Sequence, residues 1–571
     1  MNAALLAAGA LAAFVVAHRT YARWLERRVF ALDDAQATPA HRAPDGVDCV
    51  PCGKHVLFGH HFCSVAGAAP IVGPSIAVIW GWLPALLWVV LGTIFIGAVH
   101  DFGALALSAQ RGGRTIGDLA GSILSPRARV GFLGIIVLLT WIVLAVFAYV
   151  IAVLFKNVPA SVWPINLEIV VALVLGWWVY RRGGRLLVPS LIALVVLYAL
   201  VVVFARHPEA GVLPSSLQIG GSPIATWVVF LLAYAWIASV LPVRVLLQPR
   251  DYINSHQLFL GLAGLLAGLA LSPGLQVTAP AINHAVPAGT PGLLPMLFIT
   301  IACGAISGFH GLVASGTTSK QLDRMADART IGYGGMLGEG VLAMIAVLAT
   351  TAGLGSAAEW HAQYADWQQV GNLGITHFVT GASRLLDPLL MGDTQLAQTV
   401  IAVIVISFAA TTLDTAARIQ RFCLTELGEA FGVRALRNRY LATTLAVVPA
   451  ALLALLTDGG KGIGSGGFIL WPVFGTTNQL IGALTLLVLY VVLRRAGRPR
   501  LVILLPLVFL LLMTTWAGVE GLVAETRRGN VVVVTFGALF LALEALVLFE
   551  GLRALRRHPA GAPTAEPQVG S

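Results

Sequence analysis

What most constrains this chain is the recurrence of apolar stretches about 20 residues long, each enough to cross a bilayer as a helix. About fifteen are read along the sequence: 2–18, 62–80, 83–108, 130–155, 164–180, 186–205, 224–243, 256–272, 292–318, 331–354, 397–417, 440–457, 467–493, 501–524 and 531–552. Backbone in hydrocarbon must satisfy its own donors and acceptors. These stretches lack the two-residue alternation of a membrane strand, so they are predicted to be helices. Of 571 residues, 58% are hydrophobic and 11% charged, against about 25% charged in soluble domains. That excludes a soluble enzyme, a disordered chain and a fibrous one. The expected fold class is all-α, a polytopic membrane protein of about fifteen transmembrane helices.

The net charge of +10 does not point to nucleic acid, because the basic residues segregate. With the amino terminus outside and the helices alternating, thirty of the 36 Lys and Arg fall in cytoplasmic segments. The exceptions are Lys156, Arg206, Arg384, Lys461, Arg527 and Arg528. A miscounted span would scramble that split, so count and orientation support each other. The first apolar run is followed by Arg19, Arg23, Arg27 and Arg28. A signal peptide has its charges first, so this run reads as a retained helix. The carboxyl terminus is expected to be cytoplasmic, with a Pro/Ala/Gly-rich disordered tail.

Information lies where the spans are interrupted. Gly59–Pro74 carries Gly67, Ala68, Pro70, Gly73 and Pro74. Proline removes backbone donors and glycine loosens the turn, so a helix broken here would offer half-helix ends to an ion or an anionic substrate. Asp101 lies in Gly97–Phe102, where a carboxylate inside a span needs a partner or a role; the alternative is a cap or a pair with a loop Arg. Ala302–Lys320 combines small residues with Ser307, His310, Ser315, Thr317 and Thr318. Its hydroxyls suit a cation and its histidine a proton; the alternative is close helix packing. Glu339 is a further intramembrane carboxylate and possible proton relay. Asp414 and Arg418, four residues apart, are expected to pair on one helix face. Glu544 resembles Glu339 but falls in the final span. Asn478 and Gln479 read as helix–helix contacts.

Cys49-Val50-Pro51-Cys52 with His55, His60, His61 and Cys63 offers metal-ligand chemistry, but no second C-x-x-C closes a zinc pattern. A membrane redox or metal sensor built on Cys49–Cys63 is the alternative from another class. Gly460-Lys461-Gly462 lacks the hydroxyl of a phosphate loop, so no ATPase is expected.

The blocks Gly53–Pro74, Gly97–Phe102, Leu241–Tyr252, Leu297–Lys320, Ile331–Leu337, Thr411–Arg418 and Leu470–Leu480 together resemble the carbon starvation protein A family, in order from about residue 45 to about 490. The resemblance implies a bacterial inner-membrane transporter of the amino acid–polyamine–organocation superfamily, with a core of two inverted five-helix repeats. It implies uptake of pyruvate with protons, and uptake of peptides during carbon starvation. The span at 224–243 would be the pseudo-symmetric partner of 62–80, and Ser307–Thr318 would lie in the eighth core helix, where related folds hold a cation. The family pattern has Tyr and Thr at Cys49 and Cys52, often Gln at His100, and an apolar residue at Arg244.

The expected function is therefore secondary transport of a small carboxylate, most simply pyruvate, with H+ as coupling ion and Na+ as the alternative; di- or tripeptide uptake is the alternative cargo. Gly67, Ala68, Pro70, Gly73, Ser239, Arg244, Ser307 and His310 are the expected substrate contacts. His61, Asp101, His310, Ser315, Thr317, Thr318, Glu339 and Asp414 are expected for coupling. No cofactor, catalytic residue or nucleic-acid partner is expected, and membrane lipid surrounds the chain. Expected regions are an amino-terminal helix (1–30), a core (45–420), further membrane helices (421–555) and the tail (556–571).

Overall fold

The computed structural model describes residues 1–182, 186–457 and 462–557. The predicted disordered tail from 558 onward, Arg185 and Lys461 lie outside the described residues. Helices account for all the regular structure described, apart from isolated two-residue bridges. The helices that build the bundle are α1 (Ala3–Phe30), α2 (Lys54–Val65), α3 (Ala69–Trp80), α4 (Trp82–Gln110), α5 (Pro126–Asn157), α6 (Val162–Arg182), α7 (Leu187–Arg206), α8 (Pro223–Val240) and α9 (Leu247–Ala270). After them come α10 (Leu293–Thr300) and α11 (Gly308–Val313), the latter running through a π turn, Ala314–Thr318, to Gln321. The remainder are α12 (Arg329–Ala349), α13 (Trp367–Leu390), α14 (Thr394–Phe431), α15 (Arg439–Leu456), α16 (Trp471–Arg495), α17 (Leu501–Arg528) and α18 (Val531–Arg557).

Local chemistry sets several boundaries. Ser125, Ser222, Asp393 and Asn438 each accept a backbone N–H from the first turn of the helix that follows, the standard relief for orphan donors. Gly432 ends α14 at φ +72°, a left-handed conformation that favours glycine.

Thirteen described helices are long and apolar enough to span a membrane; counting the pair α2–α3, bent by 46°, makes fourteen. The fifteenth expected span, 292–318, is not one helix. It is split between α10 and α11, because the small residues between them bring backbone against neighbouring helices. Ten of the other expected spans match these helices closely; 62–80 and 256–272 begin late against Lys54–Trp80 and Leu247–Ala270, 397–417 stops short of Phe431, and the first runs on to Phe30. The expected 224–243 span does not contain a break: α8 is continuous and stops where Leu241 turns extended before Pro242.

The long helices α5 and α14 pack against each other at the centre, and α8 and α15 lean on both. α6 and α7 form a hairpin against α9, and α17 and α18 pack on α16. The sequence reading missed α13, whose apolar residues lie on one side and whose other side carries charge. It packs on α3, α9, α12 and α14. Its Gly381 fits so tightly that an added Cβ would come 2.0 Å from the Ala349 carbonyl oxygen at the end of α12.

Candidate functional site

The first interruption lies at Ala66–Ala68, between α2 and α3. Pro70 occupies the first turn of α3, where its missing N–H costs no helical hydrogen bond. The Thr412 hydroxyl of α14 donates to the Ser64 carbonyl at 3.1 Å, and the Ser64 and Thr415 hydroxyls meet at 3.1 Å. Gly67 is required by contact: a Cβ there would lie 2.7 Å from both Thr412 Oγ1 and the Phe147 ring.

The second interruption runs from Ile301 to Ser307. Unwound backbone in a membrane needs protein partners, and α4 and α16 supply them. Trp88 Nε1 donates to the Ile301 carbonyl at 3.3 Å, and Thr93 donates to that of Gly304 at 3.1 Å. Asn478 accepts from Phe309 N at 2.8 Å and bonds the Ser307 hydroxyl at 3.0 Å. The two interrupted helices touch backbone to backbone, since a Cβ at Gly73 would fall 2.2 Å from the Thr300 carbonyl oxygen.

Beside the second break, four ionisable side chains form one buried chain. His100 Nδ1 lies 2.7 Å from Asp101 Oδ1, and His310 Nδ1 lies 3.0 Å from Asp101 Oδ2. His310 Nε2 stands 3.2 Å from Glu339 Oε2. All four side chains are enclosed. A carboxylate in a span costs about 2.5–3.5 kcal/mol on insertion scales; two of them sharing one imidazole make a compact place to hold a proton. Asp101 thus pairs with histidines inside the bundle and does not cap a loop.

A second polar set joins α2 to α9 and α11. His60 Nδ1 lies 2.5 Å from Asp251 Oδ2 and its Nε2 2.8 Å from Thr317 Oγ1. His61 Nδ1 lies 2.9 Å from Thr318 Oγ1. The His61 ring faces Gly335, one helical turn before Glu339. The Ser315 hydroxyl donates to the Gly311 carbonyl at 2.6 Å and accepts from Ile116 N at 3.1 Å.

A third set was not expected. Arg250 on α9 contacts Asp414 on α14 through Nη1, which also lies 2.7 Å from the Tyr234 hydroxyl of α8. Arg250 Nε stands 3.7 Å from Glu168 Oε1 of α6. Arg250 escaped the sequence reading because the span was begun at 256, which left this arginine in a loop. Glu168, alone in an apolar stretch, carried a signal that was passed over, and Asn478 was read as packing alone.

Three expectations are corrected. Arg244 is exposed, whereas the guanidinium of Arg250 is enclosed. Asp414 does not form an ion pair with Arg418, which instead reaches Asp48 at 2.7 Å and the carbonyls of Ala238 and Leu241. Ser239 is buried and faces Thr443 of α15, with 3.5 Å between hydroxyls. Among the described residues, no three or more His, Cys, Asp or Glu are grouped to hold a metal ion. Cys52 instead bonds through its backbone N to the Gln321 carbonyl at 3.0 Å. Burial, reinforced by Asp323 and opposed by Arg244, pushes its thiol up to about 12. That is the reverse of what a metal ligand or reactive thiol needs.

A bundle of membrane-length helices, two of them interrupted side by side next to enclosed ionisable groups, has the architecture of a membrane transporter. The chain belongs to the carbon starvation protein CstA family, whose pattern it matches over residues 2–361 and 353–517. It is 32% identical to a peptide transporter CstA of Campylobacter jejuni over 93% of this chain and 82% of that protein. It is 33% identical to the peptide transporter CstA of Escherichia coli over 91% and 81%. It is also 31% identical to the pyruvate/proton symporter BtsT of Escherichia coli, over 90% and 81%. In fold it is similar to a crystal structure of a manganese transporter from Eremococcus coleocola bound to an aromatic bis-isothiourea compound. That match has a TM-score of 0.50 at 12% identity and covers 90% of this chain and 99% of that one.

Proposed function

We propose that this transporter imports a small carboxylate, pyruvate, together with protons across a bacterial inner membrane. Its amino terminus is then periplasmic and its carboxyl end cytoplasmic, as the Lys and Arg distribution supports. The observation that carries the reading is the enclosed chain His100–Asp101–His310–Glu339 beside the second break. Two carboxylates and two imidazoles can bind and release a proton where a substrate held at the breaks would feel the change in charge. Gly67, Ala68, Pro70 and Gly73 with Ser307 and His310 are the substrate contacts in this reading. The hydroxyls of Ser315, Thr317 and Thr318 are already engaged with protein groups, which favours H+ over Na+.

The similarity to a named pyruvate/proton symporter supports the cargo, while the named peptide transporters support di- or tripeptides as the second reading. We infer further that the core runs to Arg495 and not to residue 420. In this arrangement α2–α3, α4, α5, α8 and α9 form one repeat, and α10–α11, α12, α14, α15 and α16 the other. The matching neighbours support it: α9 packs on α2 as α16 packs on α11, and α8 and α15 both lean on α5 and α14.

The test is uptake of labelled pyruvate into proteoliposomes under an imposed proton gradient, an imposed sodium gradient, or neither, with unlabelled dipeptide as competitor. Proton-driven accumulation is the expected result. Accumulation driven only by sodium overturns the coupling ion, competition by dipeptide at far lower concentration than pyruvate overturns the cargo, and uptake of neither overturns both.

A further inference from the structure

The cluster on α6, α8, α9 and α14 holds one arginine and two carboxylates, and its hydrogen bonding is lopsided. Arg250 uses Nη1 for Asp414 and Tyr234. Its Nε and Nη2 make no hydrogen bond, and neither do Glu168 Oε1 and Asp414 Oδ1; Nε faces Glu168 Oε1 only as a longer ion pair, at 3.7 Å. Arg250 and Asp414 are each 1% exposed and Glu168 2%. A buried donor left unmatched is destabilising, the more so when charged. The unmatched pair on Arg250 is not arbitrary: Nε and Nη2 form one edge of the guanidinium, a fork whose spacing fits the two oxygens of a carboxylate.

The cluster adjoins the first break. Asp414 lies on the same helix as Thr411, Thr412 and Thr415. Of these, Thr412 and Thr415 hold Ser64, and Thr411 accepts from Asn254 Nδ2 of α9 at 3.1 Å. From α2, Cys63 lies within electrostatic reach of Arg250, Glu168 and Asp251.

We propose that Arg250 is the residue that takes the substrate's carboxylate, and that it does so when a proton is taken up on the Glu168–Asp414 pair. With both carboxylates ionised the trio carries one net negative charge, and an entering anion is repelled. A proton bound at a carboxylate oxygen neutralises the trio. Glu168 then gives up the Nε–Nη2 edge, which it faces through Nε, to the substrate, while Nη1 keeps its contact to Tyr234. The charged and titratable groups around the trio are Tyr234 of α8, Asp251 of α9 with its partner His60 of α2, Cys63 of α2, and Arg418 of α14. Substrate and proton thus bind together. The inference rests on the proposed carboxylate transport and adds to it a second proton-dependent element, separate from the His310 chain.

The test is binding to the purified full chain, with pyruvate and alanyl-alanine as probes (both carry a carboxylate), read as the ligand-induced rise in melting temperature at mildly acidic and mildly alkaline pH. The wild type is expected to bind about tenfold more tightly at the acidic pH. Asp414→Asn, with the trio already neutral, should bind at alkaline pH about tenfold more tightly than the wild type does there, any remaining pH dependence belonging to the His310 chain, and Arg250→Lys should lose at least about tenfold at either pH. If Arg250→Lys does not fold, the gain at alkaline pH in Asp414→Asn decides. Wild-type binding with an unaltered Arg250→Lys, or an Asp414→Asn that gains nothing at alkaline pH, overturns the inference and leaves carboxylate transport standing. Binding of alanyl-alanine alone overturns pyruvate as cargo and keeps Arg250. Binding of neither probe overturns both.

Discussion

His310 stands between two carboxylates, with Nδ1 3.0 Å from Asp101 and Nε2 3.2 Å from Glu339. One imidazole therefore links α4 to α12 through the second break. Its charge is balanced differently depending on which carboxylate is ionised.

If Glu339 carries the transported proton, Glu339→Gln should separate exchange from accumulation. Counterflow of labelled pyruvate against unlabelled pyruvate needs no net proton movement and is expected to persist. Proton-driven accumulation should fall by about 5–150-fold, the usual range of a coupling energy. Equal loss of both activities would make Glu339 merely structural.

Asp101→Asn removes the one carboxylate that both His100 and His310 contact. Breaking a buried charged pair from one side costs about 3–5 kcal/mol. The variant is expected to melt well below the wild type, and His310→Asn should recover part of the loss in the double variant. Independent, additive losses would refute the shared network.

Gly73→Ala tests the contact between the interrupted helices. Its methyl would meet the Thr300 carbonyl oxygen, which belongs to the backbone and cannot swing aside. Overpacking of this kind costs about 1–3 kcal/mol. Gly9→Ala, with nothing within 4 Å, is the control and should gain or lose little. Equal melting temperatures in the two variants would contradict the close approach.

Asp48 gives a pH prediction from outside the spans. Burial opposes its ionisation, but Arg418 and Arg421 outweigh that and hold its carboxyl below the usual carboxylate range. A lowered folded pKa contributes stability that is complete above the ordinary value and is lost as pH falls through the lowered one. The melting temperature of the wild type should therefore drop at acidic pH more steeply than that of Asp48→Asn. Parallel curves would show that the pair contributes nothing.

Cys52→Ser is expected to leave uptake unchanged, and Cys52 in the wild type should resist maleimide at neutral pH because burial pushes its thiol up to about 12. Loss of uptake in this variant would revive the sensor reading.

The spans were legible because apolar length is a property of the sequence itself. The break at Gly67–Pro70 was legible through its proline and glycines. The break at 301–307 was flagged as rich in small residues but read as a continuous span, since its unwinding depends on Trp88, Thr93 and Asn478 reaching in from other helices. Asp101, His310 and Glu339 stood out because charge is costly in a span. Arg250 did not, because a boundary drawn nine residues late put it in water. Nor did α13, whose charged side lowers its hydropathy. Asp414 and Arg418 share a helix face, and only the tertiary fold decides that each has a better partner elsewhere.

The fit of Gly381 against Ala349 has a mechanical meaning. Backbone pressed on backbone leaves no side chain to act as a cushion, so α13 and the end of α12 behave as riveted parts. α12 also carries Glu339. The helix that holds that carboxylate is therefore pinned, through α13, to α3 and α14, on which α13 packs.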